Sequence, residues 1–591
     1  MLEACRQHDI DLPGICGGRG RCRECRVIVV DGEAAPSALD HSLLEPGDVA
    51  RGWRLSCQLQ VDTPLTIELP PVSLKLLDPA VVLPQLASIE PVIQDVTVDL
   101  SGTPADSDRA AVELLDDALE ASGVAVRRSS VAALRGLGLA LARHETVLRC
   151  LVHDHMLLDV RPRSSSPLLY GLAIDIGTST VSMALLDLAD RAMLSVETER
   201  NPQGAYGGDF MSRIAFAMEK DDNLRELQRK IVSGVNRMVE RLLSSYGIAR
   251  HDIALVTVVG NPVMHHLFLG LDVKTLGGFP FRPVLDARMT VPAAELALRL
   301  EPATPVVNLP LISGYIGADA VGVAIALDLL GRSDTAMAVD VGTNAEVALV
   351  HRGRLYVCSA PAGPAFEGAQ MACGTQARPG AITRIAIDEA RQQLRLDTVD
   401  EKPPFGIAGT GIVDAVAELV RVGVLDASGF MRDTMHWPAW LRERAHAAGE
   451  MRAFVVARDA EGRPLYLHQG DVRELQLAKA ATAAAIHYVM HAAGIRAADL
   501  DHVYVAGAFG SYLDPVSVLR IGLLPDVPLR ARRVRRQRGI GRRGSGDVVA
   551  PASRSGGAGG TRGRAGRHGD RRILPGGVRR QTPPGPLVIL C

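Results

Sequence analysis

The chain is 591 residues long, 47% hydrophobic and 22% charged, the composition of an ordinary soluble protein with several globular domains. Its net charge of −2 conceals an asymmetry. Residues 530–591 hold sixteen Arg against two acids, leaving 49 basic and 65 acidic groups before them, so the acidic body argues against nucleic acid as its partner. The most apolar stretch, Leu311 to Leu330, is broken by Asp319 and Asp328; no membrane span is expected, and with no basic, apolar leader at Met1 the expected location is cytoplasmic.

In chain order, the first element is LEACRQHDIDLP, a short amphipathic helix with Leu2 and Cys5 on one face, stopped before Pro13. Four of the nine cysteines follow as a group: Cys16, Cys22 and Cys25 in ICGGRGRCRECRVIV, and Cys57 in GWRLSCQLQV. In a cytosolic protein such a group points to metal rather than disulfides. Three thiolates from one loop and a fourth from a distant strand suit a [2Fe–2S] cluster, and the GGRG run keeps side chains off the loop so that N–H groups can face the cluster sulfurs. Zinc is the alternative, but zinc ribbons prefer two CxxC pairs and only Cys22 and Cys25 form one. A strand is expected over Arg26 to Val30, then a polar connection to Arg51 and alternation from Trp53 to Leu69. Cys5, Cys150, Cys358, Cys373 and Cys591 have no partner at ligand spacing and read as small apolar residues.

Pro70 to Leu86 is too rich in Pro for regular structure, which gives a linker over 71–88. From 89 to 167 a small middle α/β domain is expected, with DVTVDL a strand and DRAAVELLDDALEASG a helix closed by Gly123. The stretch 168–529 reads as a nucleotide-binding core of alternating strands and helices, such as helix Asn223 to Tyr246 followed by strand IALVTVVGN. In GNPVMHHLFLG, His265 and His266 point about 100° apart on a helix and cannot share one metal ion, so they are expected to be structural or partner-facing.

The core is organised round a repeat. GLAIDIGTSTVSMALLDL, Gly171 to Leu188, recurs about 165 residues later as AMAVDVGTNAEVALV, Ala336 to Val350. Each copy reads as a buried strand ending on an Asp, a Gly-Thr turn and a second strand, which together form a phosphate-binding hairpin. Gly177 with Thr178, Ser179 and Thr180, and Gly342 with Thr343 and Asn344, offer close backbone approach, hydroxyls and N–H donors to an anion. Asp175 and Asp340 can hold Mg²⁺ or its waters. VCSAPAGPAFEGAQMACG follows as a close-approach loop whose only acid, Glu367, is a candidate for positioning water. GIAGTGIVDAVAEL places Gly409, Thr410 and Gly411 at a helix N-terminus suited to an anion or a ribose. The helix Gly470 to Ile495 buries Leu475, Ala478, Ala485 and Val489 and turns Arg473, Gln476 and Lys479 towards nucleotide or water. In AGAFGSYLDP, Gly507, Ala508, Phe509 and Gly510 leave backbone room for an adenine.

These three motifs resemble those of the acetate and sugar kinase, Hsp70 and actin superfamily, which implies a two-lobed actin-like ATPase core of duplicated ribonuclease H-like halves. CGGRGRCRECRV resembles the ferredoxin domains fused to flavin reductases and to reductive activators of corrinoid proteins. NPQGAYGGDFMSRI, GNPVMHHLFLGLD, SGYIGADAVG and GDVRELQLAKAA are also similar to stretches of those activators, so the resemblance covers most of residues 1–529. It implies an α/β multidomain protein with a β-grasp ferredoxin domain over 1–70, a [2Fe–2S] cluster on Cys16, Cys22, Cys25 and Cys57, ATP and Mg²⁺ in the core, and catalytic roles for Asp175, Asp340 and Glu367. The implied reaction is ATP-dependent reduction of cob(II)alamin to cob(I)alamin on a corrinoid protein of a methyltransferase system, fed by an upstream electron donor. The middle domain would help a homodimer form. The alternative is a small-molecule kinase of the same superfamily that carries the ferredoxin as a redox sensor.

Both ends depart from that family. Met1 begins inside the helix that leads to the cysteine loop, so the first hairpin of the ferredoxin domain is expected to be missing. After Leu529 the resemblance stops, and 530–591 is Arg- and Gly-rich with almost no apolar periodicity. A shifted reading frame in a GC-rich gene produces that bias, and a basic nucleic-acid arm is the alternative. Lacking the hairpin and a final helix, the chain is expected to bind iron poorly and to be prone to aggregation.

Overall fold

The computed structural model describes residues 1–7, 20, 25–44, 46–61, 63–68, 91–102, 108–164, 169–368, 371–449, 451–507, 513–525 and 588–590. The expectations for Cys16, Cys22, Ala508, Phe509 and Gly510, for the linker and for nearly all of 530–591 lie outside these residues.

The N-terminal unit begins with α1 (Leu2–Gln7), whose Leu2 and Cys5 are buried together with Val27 and Leu59. Strand β1 (Arg26–Asp31) pairs antiparallel with both β2 (Trp53–Leu55) and β3 (Thr66–Glu68), in the order β2-β1-β3. The stretch expected as a polar connection holds two short helices, α2 (Ala38–Leu43) and α3 (Pro46–Ala50). The signal for the first was present in the sequence as Ser-x-x-Asp. Ser37 N–H donates to Asp40 Oδ2 (2.7 Å) and Asp40 N–H donates to Ser37 Oγ (3.1 Å), while Asp40 Oδ1 accepts the Leu55 N–H (2.7 Å) and so fastens the helix to β2. Instead of one alternating run from Trp53 to Leu69, there are two strands separated by a turn that carries Cys57.

Next come β4 (Gln94–Asp99), α4 (Ala111–Ala121), β5 (Arg128–Ser129), α5 (Val131–Ala142), β6 (Val147–His153) and β7 (Met156–Pro162). The sheet order is β4-β6-β7-β5, and Leu115, Leu119, Leu137, Leu148 and Val160 make its own core with the two helices. Gly136 lets α5 lie directly on β7, since a Cβ there would sit 2.1 Å from the Val160 carbonyl oxygen.

The first lobe of the core contains β8 (Tyr170–Ile176), β9 (Thr180–Asp187), β10 (Ala192–Arg200), α6 (Phe210–Glu219), α7 (Asn223–Tyr246), β11 (Ile253–Gly260), α8 (Pro262–Leu269), β12 (Met289–Pro292) and β13 (Pro305–Asn308). Its sheet runs β10-β9-β8-β11-β13-β12, with β11 parallel to β8. Helix α7 buries Leu227, Ile231, Val235, Val239 and Leu242 at helical spacing and stops at Gly247, which adopts a left-handed conformation (φ 65°).

Helix α9 (Ala318–Ala326) leads into the second lobe. That lobe holds β14 (Ala336–Val341), β15 (Asn344–His351), β16 (Arg354–Pro361), β17 (Gly374–Thr375), β18 (Ala381–Asp388), β19 (Gln393–Thr398), β20 (Gly406–Ala408), α10 (Gly409–Arg421), β21 (Ala445–Ala448), β22 (Met451–Arg458), β23 (Pro464–His468), α11 (Gln469–Ala493), β24 (His502–Ala506) and α12 (Pro515–Arg520); a last strand is β25 (Val588–Leu590). Its main sheet is β24-β14-β15-β16-β25, with β24 parallel to β14. The duplication is explicit: hairpin strands β8 and β9 with parallel β11 in one lobe correspond to β14 and β15 with parallel β24 in the other. One difference from expectation concerns VCSAP, which is not loop but the end of β16, with Val357 and Cys358 buried in the sheet; the turn begins only at Pro364. No helix among the described residues is long and apolar enough to cross a membrane.

Candidate nucleotide cleft and thiolate site

The two Gly-Thr turns close hairpins of the same kind. Gly177 bends so tightly that a Cβ would sit 2.8 Å from the Thr180 carbonyl oxygen. Around this first turn the protein builds a clamp. Asn201 Nδ2 donates to Gly177 O (2.8 Å), Asn261 Nδ2 donates to Thr178 Oγ1 (2.9 Å), and the buried Arg213 guanidinium donates to Thr178 O. Asn201 and Asn261 are each followed by Pro and start a helical turn, with their Oδ1 atoms accepting Gln203 N–H and Met264 N–H. Burial lowers the Arg213 pKa to about 9, an effect partly offset by Asp209. The second turn is braced differently: Gly363 N–H donates to Thr343 O (2.9 Å) and Gly342 N–H to Asn344 O (3.1 Å).

Four carboxyl groups bear on the cleft between the turns. Asp175 and Asp340 end β8 and β14 and are joined by Asp319, in the first turn of α9, and Glu346, on β15. Glycines bring Asp319 in. A Cβ on Gly317 would sit 2.4 Å from Gly260 O, so the start of α9 presses directly on the end of β11 beside β8. Enclosure by the cleft walls pushes the Asp175 pKa up to about 7, with the Asp319 and Asp340 charges adding to the effect, although the side chain still presents surface to the cleft. Asp340 is likewise raised to about 7 by burial and then by Asp319, and burial raises Asp319 to about 6. Glu346 is raised well above its ordinary value by burial, then by Asp319 and Asp340, against a hydrogen bond from Ser359 Oγ (3.1 Å). Asp319 is the neighbour whose charge acts on all three others. Among the described residues no group of three or more His, Cys, Asp or Glu is arranged to hold a metal ion by itself. Carboxylates are hard oxygen donors of the kind that hold Mg²⁺ through waters.

Gly507, at the end of β24, lies against Asp340, since a Cβ there would be 2.3 Å from Oδ1. Glu367 ends a 3₁₀ turn, Pro364–Glu367. Gly409, Thr410 and Gly411 are buried at the start of α10: Thr410 Oγ1 donates to Thr383 O (3.0 Å), and a Cβ on Gly411 would meet Ile382 O at 2.4 Å. Of the helix expected to face nucleotide, Gln476 Nε2 donates to Ser428 O (2.7 Å) and Lys479 lies beside Gly522. His265 and His266 are both buried. His266 Nδ1 lies 2.7 Å from Pro262 O and its Nε2 accepts Val284 N–H (2.9 Å), a structural role.

In the N-terminal unit, Cys25 is buried beneath Leu44, Val49 and Leu55, and Cys57 is half-buried beside it. The Cys25 thiol hydrogen-bonds to Cys57, which raises the former and lowers the latter to about 6; Gln58 Nε2 (3.5 Å) and the Gly20 N–H also donate to the Cys57 sulfur. Two soft donors in contact, with the Cys57 sulfur accepting first from the Cys25 thiol and then from Gln58 and Gly20, are the donor type an iron–sulfur cluster takes.

Comparison with known proteins agrees with this anatomy. Residues 1–62 match the profile of the 2Fe–2S iron-sulfur cluster binding domain, 170–332 the RACo middle region, and 334–535 the C-terminal ASKHA domain of RACo. The corrinoid activation enzyme RamQ of Eubacterium limosum is 28% identical over 544 residues, covering 90% of this chain and 87% of its own. The [Co(II) methylated amine-specific corrinoid protein] reductase of Methanosarcina barkeri is 26% identical over 388 residues, 60% of this chain and 66% of that one. A solved structure of a reductive activator for corrinoid, iron-sulfur protein superposes with a TM-score of 0.68 at 29% identity, over 89% of this chain and 86% of the other. With a 2Fe–2S domain at its start and an actin-like ASKHA domain after it, the chain belongs to the family of reductive activators of corrinoid proteins.

Proposed function

We propose that the protein is an ATP-dependent reductive activator, giving one electron to an inactive cob(II)alamin on a partner corrinoid protein and so restoring cob(I)alamin for methyl transfer. The observation that carries this reading is the acid-lined cleft between two phosphate turns, in one chain with a paired-thiolate site. A [2Fe–2S] cluster on Cys16, Cys22, Cys25 and Cys57 would supply one-electron chemistry. The chain's own residues do the rest. Gly177–Thr180 and Gly342–Asn344 receive the phosphates, Asp175, Asp319 and Asp340 hold Mg²⁺ through waters, and Gly507 keeps Asp340 in line. Glu367, the Gly409–Gly411 turn and 507–510 are assigned to water positioning and to the nucleoside side.

ATP answers an energetic need. A plant-type cluster sits at about −400 mV, and the family resemblance implies a corrinoid couple lower still. A nucleotide-biased switch of about 5.5 kcal/mol corresponds to roughly 240 mV for one electron, which bridges such a gap without a phosphoryl acceptor. The upstream electron donor, a homodimeric assembly and a cytoplasmic location complete the reading.

The test is anaerobic reduction of a cob(II)alamin-loaded corrinoid protein, followed by visible absorption. Mg-ATP should stimulate it, and Asp175→Ala or Asp340→Ala should remove the stimulation while leaving the cluster spectrum intact. Phosphorylation of a sugar or short carboxylic acid, unaffected by any corrinoid protein, would hand the assignment to a small-molecule kinase.

A further inference from the structure

Strand β10 ends on Arg200, which stands opposite Thr180 in the antiparallel pairing with β9. The next residue, Asn201, is already part of the first phosphate turn: its N–H donates to Ser179 O (2.9 Å) and its Nδ2 to Gly177 O. The backbone of Arg200 is therefore scaffold for that turn, and any shift of the turn is felt at its Cα. Its side chain leaves the first lobe altogether. Nη2 donates to Oε1 of Gln376 on the second lobe at 2.6 Å.

Gln376 follows β17 in a segment with little freedom. A Cβ on Gly374 would lie 2.0 Å from Gly368 O, and one on Gly368 2.5 Å from Thr375 O, so the two stretches are in backbone contact directly after the turn that carries Glu367. The same segment is fastened to α11 and β23: Ala372 N–H donates to Asp471 Oδ1 (2.8 Å), and Tyr466 N–H to Cys373 Sγ (3.4 Å). One guanidinium thus joins the scaffold of the first phosphate turn to a rigid brace on the second lobe.

We propose that Arg200 is a positioning residue that fixes the spacing of the two lobes, and with it the spacing of the two phosphate turns, through its bond to Gln376. The acceptor chemistry supports a reversible tie rather than a permanent one. A carboxylate would bind the guanidinium as a charged pair, whereas the neutral Gln376 amide meets it with a hydrogen bond that can break when the lobes part. The relevance to nucleotide rests on the proposed ATP-binding role of the cleft; the tie between the lobes does not.

The experiment uses the full chain and four variants, Arg200→Ala, Gln376→Ala, the double Ala variant and Gln376→Glu. Small-angle scattering without nucleotide reports lobe separation, and titration with Mg-ATP reports affinity. Loss of a hydrogen bond to a charged group should shift the open-to-closed ratio about tenfold. Both single variants should therefore be more open and bind Mg-ATP about tenfold more weakly. The double variant should match the singles, because each removes the same bond. Gln376→Glu should be more closed before ATP is added. Scattering curves that match wild type in both Ala variants overturn the proposal, as does a double variant whose effect is the sum of the singles. An effect of Arg200→Ala that Gln376→Ala fails to reproduce also overturns it, for then Arg200 acts within its own lobe. If wild type binds no Mg-ATP, the ATP reading of the cleft fails, and the scattering series still decides the tie.

Discussion

Asp340→Asn should make the nucleotide-free protein more stable at pH 8 while ending its response to Mg-ATP. Burial first, then the charge of Asp319, raises the Asp340 pKa from 3.8 to about 7. In the unfolded chain the same carboxyl loses its proton near pH 4, so between about pH 4 and 7 the folded state binds the extra proton. Stability from this group is therefore full below the unfolded value and is lost as pH rises through the folded one. At pH 8 the apo protein carries the whole cost of the buried charge. Raising the carboxyl from 3.8 to about 7 corresponds to roughly 4 kcal/mol as an upper figure, and because Asp340 retains surface in the cleft we halve it to about 2 kcal/mol. Asn keeps the shape against Gly507 and removes the charge. At roughly 2–4 °C per kcal/mol, Tm should rise by about 4–8 °C at pH 8, and the difference from wild type should shrink to about half or less at pH 5 and vanish only below about pH 4. Mg-ATP should then raise the wild-type Tm and leave the variant unmoved. Differential scanning calorimetry at pH 5, 6.5 and 8, with and without Mg-ATP, measures all of this. A variant less stable than wild type at pH 8, or a Tm difference that grows as pH falls, would falsify the assignment of Asp340 to a strained acid cluster.

Three further outcomes are expected. Gly342→Ala should fold normally, since its Cβ would meet nothing closer than Asn344 O at 3.5 Å, yet weaken Mg-ATP binding at least tenfold; Gly507→Ala, which points its Cβ at Asp340 Oδ1 from a left-handed backbone (φ 83°), should cost about 1–3 kcal/mol by denaturant titration. Equal stability of the two variants would contradict this contrast. Asn261→Ala removes both the cap on Met264 N–H and the bond to Thr178 Oγ1, so a loss of about 1–2 kcal/mol together with a raised Kd for Mg-ATP is expected, and a change in stability alone would show that the clamp does not reach the nucleotide. Cys57→Ser should lower bound iron below the wild-type level and bleach the visible spectrum without changing the Kd for Mg-ATP; a single zinc in anaerobically purified wild type would refute the cluster reading.

The hairpins were legible because their information is local. An apolar run, an Asp, a Gly-Thr turn and a second apolar run fit within twenty residues, and periodicity of two is a direct consequence of strand geometry. Helix Asn223 to Tyr246 was legible for the same reason, since its apolar stripe and its closing glycine lie in the element itself. The clamp was not legible. Asn201, Arg213 and Asn261 reach the first turn from 24, 35 and 83 residues away, and only the sheet order that places β11 beside β8 brings Asn261 to Thr178. The Asn-Pro pairs announce helix starts, and nothing in them announces what the cap's amide will touch. Asp319 and Glu346 escaped similarly: one looked like an interruption of an apolar run and the other drew no reading within its strand, and their chemistry arises from being gathered near Asp175 and Asp340. The VCSAP stretch misled because small residues and Pro suggest a loop, whereas a strand tolerates both at its end, where β16 runs on to Pro361 past its pairing with β25.

The glycines of the core carry the same lesson in sharper form, because one residue type answers three different constraints. Gly177 is required by the turn itself, where the Thr180 carbonyl oxygen occupies the space of a Cβ. Gly507 is required by a side chain, the Asp340 carboxylate, brought near by the parallel pairing of β24 with β14. Gly342 is required by neither, for it has an ordinary backbone and a Cβ there would make only an ordinary contact, with the Asn344 carbonyl oxygen at 3.5 Å. A sequence shows three Gly residues in three similar settings and cannot rank them. With the neighbours in place, neither the turn nor packing calls for Gly342, and on the proposed function its place beside the paired Asp340 and Glu346 is where a phosphate would need close backbone approach.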